Sequence, residues 1–164
     1  MLRRLHILVW LAVAAALGGC GRYLAREVRI EVLGTRIYGT SGADVTLRVA
    51  NRGERTLSFD EAELRLVCEG GEVLRATLRD TVDAAPRRES DVCTRWRLRV
   101  PDRAALLAVR GRLQRAETQR MTIAFVLRLR VGGDVKKIGR RMPLSDFLNI
   151  FGLRPEELLT DFEG

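Results

Sequence analysis

Two stripes of arginine are the residues of this chain best suited to do chemistry. Arg95, Arg97 and Arg99 alternate with Trp96 and Leu98, and Arg128 and Arg130 alternate with Leu127 and Leu129. Period-2 alternation marks a half-buried strand, so the five guanidiniums are expected on outward faces. A guanidinium binds phosphate or carboxylate through two parallel hydrogen bonds, and on adjacent strands the five would form an anion-binding plate. The plainer reading is a solvated sheet face whose charges keep edge strands from pairing.

Other candidates for chemistry fall away. Asp60, Glu61 and Glu63 cluster, as do Glu69 and Glu72. Glycoside hydrolysis needs two carboxyls opposed across a cleft at set separations, whereas acids at hairpin ends are ordinarily solvated. The serines (Ser41, Ser58, Ser90 and Ser145) lie in no nucleophile-elbow pattern. The sole histidine is His6, in the leading segment. Without it, Ser-His-Asp and Cys-His catalysis are excluded, and so is the commonest ligand of zinc. The expectation is no enzyme, no cofactor and no metal site.

The leading segment has its own logic. Arg3 and Arg4 precede an apolar run from Leu5 to Leu17, which ends in Gly18-Gly19-Cys20. A basic start, an apolar stretch and a small-residue site define a secretory signal, and the run falls short of the roughly 20 residues that span a bilayer. Leu17-Gly18-Gly19-Cys20 resembles the lipobox of bacterial lipoproteins. The resemblance implies cleavage before Cys20, recognition through Leu17, Gly18 and Gly19, and acylation of the Cys20 thiol. More than one acyl chain would then hold the protein stably, where a single chain is marginal. Gly21 stands where enterobacterial sorting would expect Asp for inner-membrane retention. The resemblance therefore points to the outer membrane, facing the periplasm.

Removing residues 1–19 takes Arg3 and Arg4 away, so 29 Lys and Arg become 27 against 21 Asp and Glu, a net charge of +6. A basic excess suits an anionic partner, such as glycan or lipid, or is simply an Arg-rich solvated surface. Nucleic acid is not expected outside the cytoplasm. Cys68 and Cys93 would lie where disulfides persist, and a bridge between them would contribute about 3–4 kcal/mol. Their parity argues against it: Cys68 follows Leu64 and Leu66 inward, Cys93 follows Arg95 and Arg97 outward. A bridge and two separate thiols both stay open.

Seven segments alternate: around Val28–Val32, Val45–Val49, Leu64–Leu66, Leu74–Leu78, Val92–Val100, Met121–Val131 and Val135–Ile138. Gly70-Gly71 and Gly132-Gly133 suit two-residue hairpins. Pro101 to Arg110 reads as a short helix with Gly111 past its end. Leu144, Phe147, Leu148 and Phe151 recur at helical spacing, with Ser145 as a candidate cap. This stripe would close one end of the domain or dock on a partner or membrane. The expected fold is all-β: an antiparallel immunoglobulin/fibronectin-III-like β-sandwich of about seven strands, with short helical segments near the C-terminus. The divisions are a signal at 1–19, Cys20 and a tether at 20–26, the sandwich at 27–143 and a helical tail at 144–164.

Val45-Thr46-Leu47-Arg48-Val49-Ala50-Asn51 and the later Val131-Gly132-Gly133-Asp134-Val135-Lys136-Lys137-Ile138 resemble the late-embryogenesis-abundant type 2 family. The likeness covers residues 27–143. Where that family has Asn-Pro, this chain has Asn51-Arg52. The resemblance implies a sandwich with a non-enzymatic binding or protective role and supplies no catalytic residues. The alternative is an accessory structural subunit of an envelope protein assembly.

Overall fold

Alternation of apolar and polar residues dictates the strands, because successive side chains of a strand point to opposite faces. The computed structural model describes residues 28–38, 41–151 and 154–155. The leading segment, Cys20, the tether and most of the tail beyond Phe151 lie outside the described residues. Eight strands form: β1 (Val28–Tyr38), β2 (Gly42–Asn51), β3 (Leu57–Cys68), β4 (Gly71–Leu78), β5 (Val82–Ala84), β6 (Arg88–Arg99), β7 (Met121–Val131) and β8 (Asp134–Pro143). Two helices accompany them, α1 (Arg103–Gln114) and α2 (Leu144–Phe151).

All strand pairs are antiparallel, in the order β1-β2-β6-β4-β3-β7-β8, with β5 pairing the first residues of β3. This single sheet curls, and its inward faces share one core. Val45, Val49, Leu64, Ile123 and Leu129 are among the residues wholly buried there. The helices cover the end of the sheet where β6 and β8 finish. Val109 and Leu113 of α1 and Leu144, Phe147 and Leu148 of α2 join the core. The helical stripe thus closes the domain, and each such large apolar side chain contributes roughly 1.5–3 kcal/mol by burial.

Several expectations shift by a residue or a turn. The third strand begins at Leu57, seven residues before Leu64. A bulge between Phe59 and Glu61 flips the inward set from Leu57 and Phe59 to Ala62, Leu64 and Leu66, which masks the alternation. The first hairpin turns at Glu69-Gly70, with φ of 52° and 85°, and Gly71 already belongs to β4. The second turns at Gly132-Gly133 as expected, and a Cβ on Gly132 would meet Arg55 Cδ at 2.7 Å.

α1 starts at Arg103 rather than at Pro101, because the Asp102 carboxylate caps it, accepting from the Ala104 N–H (2.8 Å) and the Ala105 N–H (3.2 Å). It runs through Gly111 because Leu113, two residues on and one turn beyond the buried Val109, is itself buried. Ala116, in the left-handed region, ends it. Ser145 lies inside the first turn of α2 rather than capping it. Asp102→Ala should cost about 1 kcal/mol, while Asp102→Asn should stay within a few tenths. Urea midpoints of the two variants check this; equal midpoints would remove the cap from the account.

Candidate functional site

The five arginines of the sequence stripes do face outward, but they make no common plate. β6 carries Arg95, Arg97 and Arg99, β7 carries Arg128 and Arg130, and the β3–β4 hairpin lies between the two strands. Three of the five are held by carboxylates of neighbouring segments. Arg128 clasps Asp60 through Nε (2.6 Å) and Nη2 (2.8 Å), and Arg130 Nη2 reaches the same carboxylate at 3.0 Å. Asp80 accepts from Arg95 Nη2 and from the Arg95 backbone N–H, both at 2.6 Å. Arg97 and Arg99 are exposed on the outer face of β6.

The acids tell the same story. The hydrogen bond from Arg128 holds the Asp60 carboxyl below its ordinary range; Arg112 does so for Glu69, and Arg75 for Glu72. Glu61 faces Lys137 at 3.2 Å, and Glu63 pairs with Arg65. Carboxyls tied to cations stay ionised, the opposite of the raised pKa that a general acid needs. Among the described residues no three His, Cys, Asp or Glu side chains come together as metal ligands.

Cys68 and Cys93 are separate thiols, the first half-buried and the second exposed. Register explains why. Cys68 is level with Gly71 of β4, while Trp96 pairs with Leu78, which sets Cys93 level with position 81. That is about ten residues along the strands, or about 30 Å, where a bridge needs Cα atoms within about 7 Å. Cys68 lies instead beside Arg112, whose Nη1 is 3.7 Å from its sulfur.

Sequence reading missed a second cationic feature. Register places Val28 beside Asn51 and Asn51 beside Arg88, so the start of β1, the end of β2 and the start of β6 meet at one end of the sheet. An open cleft of about 480 Å³ lies there, lined by Arg29, Arg48, Arg52, Arg87 and Arg88, with Glu89 as its one acid. Arg48 is bound by Asp91 through Nε (2.9 Å) and Nη2 (3.1 Å), and Arg87 pairs with Glu54. Arg29, Arg52 and Arg88 have no carboxylate partner among the described residues. Ala50 contributes the short side chain between them.

Asn51 fixes this corner. Only 3% exposed, it donates through Nδ2 to the carbonyls of Arg55 (2.8 Å) and Ala84 (3.0 Å), and its Oδ1 accepts from the Gly53 N–H at 3.0 Å. One side chain thus ties the turn that presents Arg52 to the end of β5.

No protein-family model matches the chain, and no curated protein matches it. Solved structures with a similar path include a protein from Archaeoglobus fulgidus, with 10% identity, a TM-score of 0.37 and coverage of 71% of this chain and 94% of that one. The R. palustris CsgH solution structure shows 12% identity and a TM-score of 0.31, covering 82% of this chain and 97% of that one. The crystal structure of a protein from Bacteroides fragilis assigned as a β-galactosidase shows 19% identity and a TM-score of 0.33, covering 71% of this chain and 16% of that one. Likenesses at these TM-scores carry no argument about what this chain does.

Proposed function

We propose that this chain is a lipid-anchored, non-enzymatic envelope protein: a β-sandwich of the immunoglobulin/fibronectin-III kind, tethered through acylated Cys20 and acting as a binding or protective module of the late-embryogenesis-abundant type 2 sort. The observation that carries it is Leu17-Gly18-Gly19-Cys20 at the end of the apolar run, eight residue steps before the first strand. The strand order is compatible with a sandwich: β1-β2-β6 and β3-β7-β8 lie on either side of β4 in one sheet that curls. The arginine-bound carboxylates support the absence of acid catalysis, since they are held ionised.

The anchor is tested by feeding expressing bacteria an alkyne-tagged fatty acid and reading the label on the purified chain. Wild type should carry it, and Cys20→Ser should lose it completely. Label retained on the Cys20→Ser protein would place acylation elsewhere and overturn the reading.

A further inference from the structure

The cleft at the start of β1 is a concave site whose lining is mostly arginine. Elsewhere on the domain several guanidiniums meet carboxylates, Arg128 with Asp60, Arg95 with Asp80, Arg112 with Glu69 and Arg115 with Glu117, while Arg97 and Arg99 stand exposed along the outer face of β6. In the cleft Arg29, Arg52 and Arg88, from three chain segments, line one wall without such a partner among the described residues, and Glu89 is the one acid beside them. Like charges that line one cleft repel, so an anion held among them is favoured. A concave wall mostly of one sign, five arginines to one glutamate, also concentrates its field. Guanidinium matches the oxygens of a phosphate in a bidentate manner, and the volume of about 480 Å³ lies within the range of small-ligand sites.

Position narrows the class of anion. The chain enters β1 at this end of the sheet, and both helices cover the other end. Eight residue steps separate Cys20 from Val28. Even fully extended they span at most about 30 Å, so a bilayer holding Cys20 lies within that reach of Arg29.

We propose that the cleft takes the phosphate-bearing headgroup of an anionic phospholipid in the membrane that holds Cys20. The proposal rests on the anchor reading above. Lipidation would bring the domain to the bilayer, and the three arginines would fix which end faces it. A cation close to an anionic bilayer strengthens association roughly fivefold, so three together give about 100-fold.

The test uses the full expressed chain, purified in maltoside micelles, which contain no phosphate. The micelles are doped with short-chain phosphatidylglycerol or phosphatidylcholine, and inorganic phosphate is a third probe. The side-chain Nε–Hε resonances of arginine are followed by NMR. Those of Arg29, Arg52 and Arg88 should move with phosphatidylglycerol and hold still with phosphatidylcholine. Arg29→Gln/Arg52→Gln/Arg88→Gln should weaken the apparent affinity about 100-fold. Arg97→Gln/Arg99→Gln, on the outer face of β6, should leave it within about twofold, because those charges lie outside the cleft.

Unmoved resonances of the three arginines in wild type would overturn the proposal, even if the triple variant failed to fold. Inorganic phosphate binding as tightly as phosphatidylglycerol would overturn the lipid source. The intact mass of the same sample separates the two readings. An acylated chain whose three arginines ignore the lipid would sink the cleft alone. An unacylated Cys20 with the shifts present would overturn the anchor and leave anionic-lipid recognition standing.

Discussion

Replacing Trp96 with alanine is expected to destabilise the domain by about 3–5 kcal/mol, the usual cost of deleting a buried indole. Trp96 is 3% exposed and lies level with Ala43 of β2 on one side and Leu78 of β4 on the other, on the inward face of the sheet. Its position is also specified by polarity. The Nε1–H donates to Thr94 Oγ1 at 3.0 Å, and that hydroxyl, wholly buried, donates to the Val45 carbonyl at 2.8 Å. Trp96→Phe keeps the apolar bulk and leaves the Thr94 bond to Val45 in place, so it should cost about 1–2 kcal/mol, well short of alanine. Urea unfolding followed by far-ultraviolet circular dichroism measures both. Dichroism is needed because the chain's other tryptophan is Trp10, in the segment expected to be cleaved. A midpoint for Trp96→Ala within error of wild type would place the indole outside the core.

Trp96 also illustrates what could be read from sequence. In β2, β6 and β7 the alternation is unbroken, and parity alone put Val45, Leu47, Val49, Trp96, Ile123, Phe125 and Leu127 inward and the five stripe arginines outward. The reading faltered where backbone geometry departs from strict period two. The bulge at Phe59–Glu61 hides the first half of β3, and the three residues of β5 are too few to show a period. Gly71 is not a turn residue because Glu69 takes the positive φ instead. None of these is encoded by hydrophobicity, which is why a pattern argument passes over them.

The candidate site was harder still, for a different reason. That an arginine faces outward is a local property, settled by parity. Which arginines become neighbours depends on strand order, and order is a property of the whole sheet. The plate of Arg95, Arg97, Arg99, Arg128 and Arg130 fails because the β3–β4 hairpin separates β6 from β7. The cleft forms because Arg29, Arg52 and Arg88, unremarked at their separate places in the chain, are brought to one corner by the β1–β2–β6 register. In sequence Asn51-Arg52 stood out only where the late-embryogenesis-abundant type 2 family has Asn-Pro; in the structure it opens the turn after β2.

That turn supplies the second large effect. Asn51→Ala should cost about 2–4 kcal/mol, because it leaves the Gly53 N–H and the carbonyls of Arg55 and Ala84 without their partner around a side chain only 3% exposed. Asn51→Asp distinguishes loss of hydrogen bonding from loss of shape. The carboxylate is nearly isosteric and still accepts from Gly53, but it turns an acceptor toward two carbonyl oxygens. Its charged form is therefore disfavoured in the folded state, and its folded pKa lies above the unfolded value near 3.9. For an acid shifted upward, the folded state is favoured most below the unfolded pKa and loses that advantage as pH rises. The deficit of Asn51→Asp relative to wild type should thus be greatest near pH 7 and shrink toward about pH 4, where a protonated carboxyl donates one of the two lost bonds. Stability curves for the pair across that range decide the matter. A deficit independent of pH would mean that residue 51 acts through packing rather than through its hydrogen bonds. The corner that presents Arg52 would then need another explanation for its rigidity.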